Sequence, residues 1–194
     1  MLNITNATAQ HAHQLAFLIN LAGEGIPAFL WQSMCEGSES VMQVGAKRAA
    51  REEGAFSYTN ARMCLHEDDV MGMILAYRQD DPYEVGDLAS YPDVVRPLIE
   101  LEAKAPGSWY INAIATYEKY RGQGVGRALM DDTEKQALKH GCETLSLIVA
   151  SENKQAKRLY EYLGFEVNNA KPVVSYPGCV HSGDWLLMLK RILK

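Results

Sequence analysis

The stretch from Trp109 to Leu129, WYINAIATYEKYRGQGVGRAL, restricts the fold more than any other part of the chain. An apolar run suited to a strand (Tyr110, Ile111, Ala113, Ile114) leads into the glycine-rich turn Arg121-Gly122-Gln123-Gly124-Val125-Gly126, and a helical pattern begins at once. The first amides of a helix lack intrahelical carbonyl partners, and the helix dipole adds partial positive charge at that end. Glycines let an anion approach the backbone, so this order of elements makes an anion site. Three glycines at alternate positions, flanked by Arg121 and Arg127, point to a pyrophosphate.

Spacing separates the phosphate motifs that compete for this turn. A Walker A loop needs a Lys-Ser/Thr pair after its last glycine, and none follows here. The Rossmann fingerprint Gly-x-Gly-x-x-Gly/Ala requires glycine or alanine where this chain has Arg127, counting from Gly122, or Leu129, counting from Gly124. The arrangement that does fit is Arg/Gln-x-x-Gly-x-Gly/Ala, met by Arg121, Gly124 and Gly126.

Taken in order, the rest of the chain reads as alternating strands and helices. Leu2 to Thr5 suits an edge strand. A helix capped by Asn6 or Thr8 carries Ala12, Leu15, Ala16, Ile19 and Ala22 at the 3.6-residue period and ends at Gly23. Gly25-Ile26-Pro27 reads as a break, followed by a helix from about Ser38 to Glu53. Ser57–His66 and Val70–Tyr77 form an expected antiparallel hairpin across Glu67-Asp68-Asp69. Residues 78–108 hold four prolines and an excess of acids, and read as a long loop or insertion with a helix within Pro92–Lys104. After the glycine turn come a helix over Gly126–His140, a strand over Thr144–Val149 and a helix opened by Ser151-Glu152-Asn153 and closed by Gly164. A strand beginning at Phe165 and a last one over Asp184–Ile192 complete the chain. The strand–helix–strand succession implies a parallel pair with a right-handed crossover.

The 194 residues, 47% hydrophobic, fit a single domain, 1–194. A net charge of -5 removes the usual electrostatic drive toward nucleic acid or an anionic membrane surface, and suits a cationic small molecule instead. Cys35, Cys64, Cys142 and Cys179 form no CxxC pair, which argues against a zinc ribbon or disulfide framework and for free thiols in a reducing cytoplasm. His11 and His13 fall on different helical faces and read as surface residues, so no metal is expected.

A second motif lies downstream: Asn153-x-x-Ala156-x-x-Leu159-Tyr160-x-x-x-Gly164-Phe165. Together with Ile114-Ala115-Thr116, Tyr120 and the Arg121–Gly126 turn, it resembles the acetyl-coenzyme A signature of the GNAT N-acetyltransferase superfamily. The resemblance implies an α/β (α+β mixed) fold: a twisted mixed sheet of about seven strands with helices on both faces and a splayed parallel central pair. It implies acetyl-CoA as co-substrate, with Ile114, Ala115 and Thr116 along the pantetheine arm and thioester. The backbone of Arg121, Gly122, Gln123, Gly124, Val125, Gly126 and Arg127 would hold the pyrophosphate, with Asn153 on the arm from the other side. Tyr160 occupies the superfamily's position for the acid that protonates the leaving thiolate.

The base departs from pattern. Many relatives place a glutamate where this chain has Asn112, and ribosomal-protein N-terminal acetyltransferases, which the C-terminal part also resembles, use one where it has Ile148. Asn112 is therefore expected to order a water that passes the proton to bulk or to a remote group, with Glu24, Glu100, Glu102 and His181 as candidates. The implied reaction is acetyl transfer to the primary amine of a polyamine, amino sugar or amino-acid derivative. Alternatives are a protein or peptide N-terminal or lysine acetyltransferase, a longer acyl donor, and a non-catalytic acyl-CoA sensor. Dimerisation is common in the superfamily, which leaves a homodimer open.

Overall fold

The structure is a computed structural model and describes residues 2–192. Seven strands form one sheet in the order β1-β2-β3-β4-β5-β7-β6. The chain divides into two compact units, one built from the N-terminal segment to Tyr77 with Asn112–Lys135, the other from Arg78–Ile111 with Gln136 onward.

In the first unit, β1 (Asn3–Asn6) pairs antiparallel with β2 (Ala61–His66), which pairs antiparallel with β3 (Asp69–Arg78). The hairpin is the expected one, and Glu67 takes a left-handed conformation (φ 54) to close it. Thr8 caps a short 3-10 turn that leads into α1 (Ala12–Ala22), whose buried face carries Leu15, Ala16, Leu18 and Ile19. The expected break after Gly25 is instead the start of a helix, α2 (Ile26–Gln32). Gly25 adopts φ 95 at the N-cap, and Pro27 sits in the first turn, where a missing N–H breaks no helical bond and the fixed φ favours helix.

α3 (Val41–Ala49) is shorter than its expected span at both ends; at its start Ser40 and Gln43 close a reciprocal capping box, and its C-cap is Ala50. Gly45 on this helix has no room for a side chain, since the Trp31 ring of α2 lies where its Cβ would stand. Leu15, Leu18, Ile19, Trp31, Met63, Met73 and Leu75 form the core of this unit together with Ala113 and Ala115. Those two alanines lie on β4 (Trp109–Thr116).

In the second unit, residues 78–108 contain α4 (Arg96–Glu102), inside the expected Pro92–Lys104 window. The first residues of β4 pair in parallel with β5 (Thr144–Ala150), at Trp109↔Leu145, Tyr110↔Ser146 and Ile111↔Leu147. A buried contact between the Ser108 and Ser146 hydroxyls, at 2.6 Å, sits beside this pair. β7 (Asp184–Arg191) pairs antiparallel with β5 on one side and β6 (Glu166–Pro172) on the other. The crossover helix α5 (Val125–Lys139) and the following α6 (Lys154–Tyr162) match the periodic segments read from sequence to within a few residues. The mixed sheet, antiparallel through β1–β3 and parallel at β4–β5, is the architecture the sequence implied.

Candidate functional site

The glycine turn is built as its spacing suggested. Gly122 and Gly124 have φ 75 and 80, a region that costs an L side chain about 1–2 kcal/mol, and an added Cβ at either would meet nothing within 4 Å. The backbone there is therefore open to a ligand rather than packed against the protein. Arg121, Gly122, Gln123 and Gly124 are exposed, whereas Val125 is buried and anchors the helix start. The Ala128 amide donates to the Gly124 carbonyl at 3.0 Å, so the amides before it are those a helix start leaves without a carbonyl one turn back.

Close packing positions this turn. A Cβ on Gly72 of β3 would stand 2.5 Å from the Ala115 carbonyl oxygen, 3.1 Å from the Thr116 Cα and 3.1 Å from the Val125 Cγ1. Only glycine lets β3, the end of β4 and the start of α5 approach so closely. The Tyr117 amide donates to the Met71 carbonyl at 2.9 Å, the Tyr120 hydroxyl donates to Asp69 at 3.1 Å, and the Gln123 amide side chain donates to the Lys119 carbonyl at 3.1 Å. Arg127 lies 3.9 Å from Asp131 one turn along α5, with both side chains exposed. The open backbone, the helix start and the flanking arginines together fit a diphosphate.

Of the remaining residues read from sequence, Ile114, Ala115 and Thr116 end β4 in the same unit as the turn, and Asn112 stands two residues before Ile114. The Asn112 side-chain amide donates to the Tyr77 hydroxyl of β3 at 3.4 Å. Asn153 and Tyr160 belong to the other unit. The Asn153 side-chain oxygen accepts from the Ala156 amide at 3.1 Å and so N-caps α6. Tyr160 is buried, with its ring tilted against Phe165 at 5.9 Å.

The remote groups have distinct surroundings. Glu100 pairs with Lys171 at 3.1 Å, and His181 lies 3.5 Å from Glu152. Glu24 occupies a left-handed position, φ 51, between α1 and α2. Burial pushes the Glu102 carboxyl above the usual carboxylate range, against hydrogen bonds from Tyr83 and Tyr110 that pull it down. Tyr83 donates to it at 2.8 Å. Tyr77, Tyr83 and Glu152 are contacts that sequence reading did not single out; their partners come from distant parts of the chain, and no spacing rule reports such pairs. No group of three or more His, Cys, Asp or Glu side chains suited to a metal occurs among the described residues.

Comparison with known proteins assigns this sheet order and glycine-turn helix start to a class. Residues 29–165 match the Acetyltransferase (GNAT) family model, and the chain belongs to that family. It is 38% identical over 55 residues to thialysine N-epsilon-acetyltransferase of Mus musculus, a match covering 28% of this chain and 32% of that one. The aligned stretch thus spans about a third of that curated relative's length. Among solved structures, a polyamine N acetyltransferase of Drosophila melanogaster superposes with a TM-score of 0.70 at 13% identity, covering 99% of this chain and 100% of that one. A streptothricin acetyltransferase of Bacillus anthracis, described as putative and solved in complex with acetyl coenzyme A, gives a TM-score of 0.50 at 18% identity, over 68% of this chain and 61% of that one. At these identities the structural likenesses establish the fold.

Proposed function

We propose that this protein transfers an acetyl group from acetyl-CoA to the primary amine of a small cationic molecule, by direct attack and without a covalent enzyme intermediate. The observation that carries the reading is the Arg121–Arg127 turn, where two glycines in left-handed conformations leave the backbone open at a helix start. Charge-assisted hydrogen bonds from that backbone to a diphosphate are worth about 1.5–3 kcal/mol each. The thioester supplies an acetyl carbon already activated toward nitrogen.

Chemistry sets the remaining roles. A primary amine with a pKa near 10.4 is about one part in a thousand neutral near pH 7 to 7.5, so the ammonium must first lose a proton. Asn112 cannot take that proton itself; it orders the amine or a water that carries the proton away. As the carbon–nitrogen bond forms and the carbon–sulfur bond breaks, Tyr160 gives its proton to the departing thiolate, and the proton the nitrogen sheds on becoming an amide returns through solvent to restore the tyrosine. Ile114, Ala115 and Thr116 align the arm of the co-substrate, and Asn153 binds it from α6. The free cysteines suit a reducing cytoplasm.

Two similar proteins support a small amine as acceptor: one is a thialysine N-epsilon-acetyltransferase, and the other, alike in fold, catalyses the formation of N-acetylagmatine. The test is thiol release from acetyl-CoA across a panel of polyamines, amino sugars and amino-acid derivatives, with a no-acceptor control. Acceptor-dependent release is the expected outcome. Tight acetyl-CoA binding with no release on any amine would instead make the chain an acyl-CoA sensor, a reading that the missing carboxylate at Asn112 favours.

A further inference from the structure

The segment just before Asn153 is fastened to the approach of β7 by a set of contacts. The Glu152 carboxylate accepts from the Ser182 amide at 3.0 Å through one oxygen and from the Ser182 hydroxyl at 3.1 Å through the other. His181 adds an ion-pair contact at 3.5 Å when protonated. Alongside, the Ser151 amide donates to the Asp184 carbonyl at 2.8 Å and the Asp184 amide donates to the Ser151 hydroxyl at 3.0 Å. Gly183 between them has no room for a side chain, because the Ser151 hydroxyl lies where its Cβ would stand.

From this geometry we propose that Glu152 is a positioning residue for co-substrate binding: by gripping Ser182 with both oxygens it fixes the backbone that presents the Asn153 side chain. The inference rests on the acetyl-CoA reading above. Two features of the geometry carry it. Glu152 is covalently next to Asn153, whose carbonyl and side-chain oxygen are both committed to α6, to the amides of Lys157 at 3.0 Å and Ala156 at 3.1 Å. Any movement of residue 152 therefore reaches the start of the helix. A carboxylate with a donor on each oxygen is held in one orientation, which a neutral amide cannot reproduce, since its NH2 would face a donor. The Ser182 backbone bond also holds the Glu152 carboxyl below its usual range, consistent with that grip.

The experiment is a double-mutant cycle on the full chain, read as the Kd for acetyl-CoA by calorimetry. Glu152→Gln is expected to weaken binding about three- to tenfold, the equivalent of one or two ordinary hydrogen bonds. Asn153→Ala weakens it as well, and Glu152→Gln adds nothing in the Asn153→Ala background. Ser182→Ala, which removes one of the two donors, should fall between wild type and Glu152→Gln. Thermal melts accompany each variant, and folded variants are required for the comparison. If Glu152→Gln misfolds, the milder Ser182→Ala carries the same cycle against Asn153→Ala. Unchanged affinity in folded Glu152→Gln, or additive losses in the double variant, overturns this role while leaving the acetyl-CoA reading intact. Failure of the wild type to bind acetyl-CoA overturns both.

Discussion

At the scale of single residues, the turn and the tyrosine make separable demands. Gly124 has φ 80 and open space above it, so a glutamate there strains the backbone and places a negative charge where the diphosphate would lie. Gly124→Glu should abolish acetyl-CoA binding in calorimetry while costing only about 1–2 kcal/mol of stability in urea melts; affinity equal to wild type would remove the turn from the site. Tyr160 is buried against Phe165, so phenylalanine keeps its packing and loses only the hydroxyl. Tyr160→Phe is expected to lower kcat by about a hundredfold or more with acetyl-CoA affinity within a factor of two or three of wild type. Equal turnover would exclude it as the acid. The positive φ of Gly124 and the place of Tyr160 on a helix were legible in the sequence because glycine conformation and motif spacing are local properties. The bond from Asn112 to Tyr77 was not, because it joins positions 35 residues apart that only strand pairing brings together.

At the scale of elements, Gly72 shows how the packing of β3 supports the turn. Gly72→Val would place side-chain atoms against the Ala115 carbonyl and Val125, and should destabilise the protein by about 1–3 kcal/mol and weaken acetyl-CoA binding. Denaturant melts and calorimetry on the same preparation check both effects, and an unshifted melt contradicts the packing argument.

α4 offers a pH test. Burial raises the folded-state pKa of Glu102 above its unfolded value near 4.3, so the folded chain holds that proton more tightly. Its cost to stability is absent below about pH 4.3 and grows as pH rises through the folded pKa. The stability of Glu102→Gln relative to wild type should therefore increase with pH across that window in urea melts, whatever constant offset the lost tyrosine contacts impose. A difference that stays flat with pH would mean the carboxyl is not desolvated. A glycine stop marked the end of α1 at Gly23, whereas α3 starts after its Ser40 capping box and ends at Ala49, inside the span expected for it. α2 was missed because Gly25-Ile26-Pro27 is ambiguous locally: a proline ends a helix that precedes it and begins one that follows.

At the scale of the whole molecule, the proposed function makes the net charge of -5 and the acidic insertion a source of attraction for a cationic acceptor. Asp80, Asp81, Glu84, Asp87, Asp93, Glu100 and Glu102 outnumber Arg78, Arg96 and Lys104 between residues 78 and 108. Raising ionic strength from about 0.01 M to about 0.1 M shortens the screening length from about 30 Å to about 10 Å. The KM for a diamine should rise several-fold over that range while the KM for an amine with a neutral tail stays nearly constant; parallel behaviour would exclude steering by charge. The sequence by itself determined the family, the strand–turn–helix order around the glycines and the alternation of strands and helices, because each is written in local spacing, glycine conformation and periodicity. Tertiary structure decided what meets across the chain: the grip of Glu152 on Ser182, the tyrosines around Glu102, and the room at Gly72 that holds the turn against β3. These depend on which distant residues the sheet and its helices bring into contact, and contact between distant residues is a property of packing that no local pattern encodes.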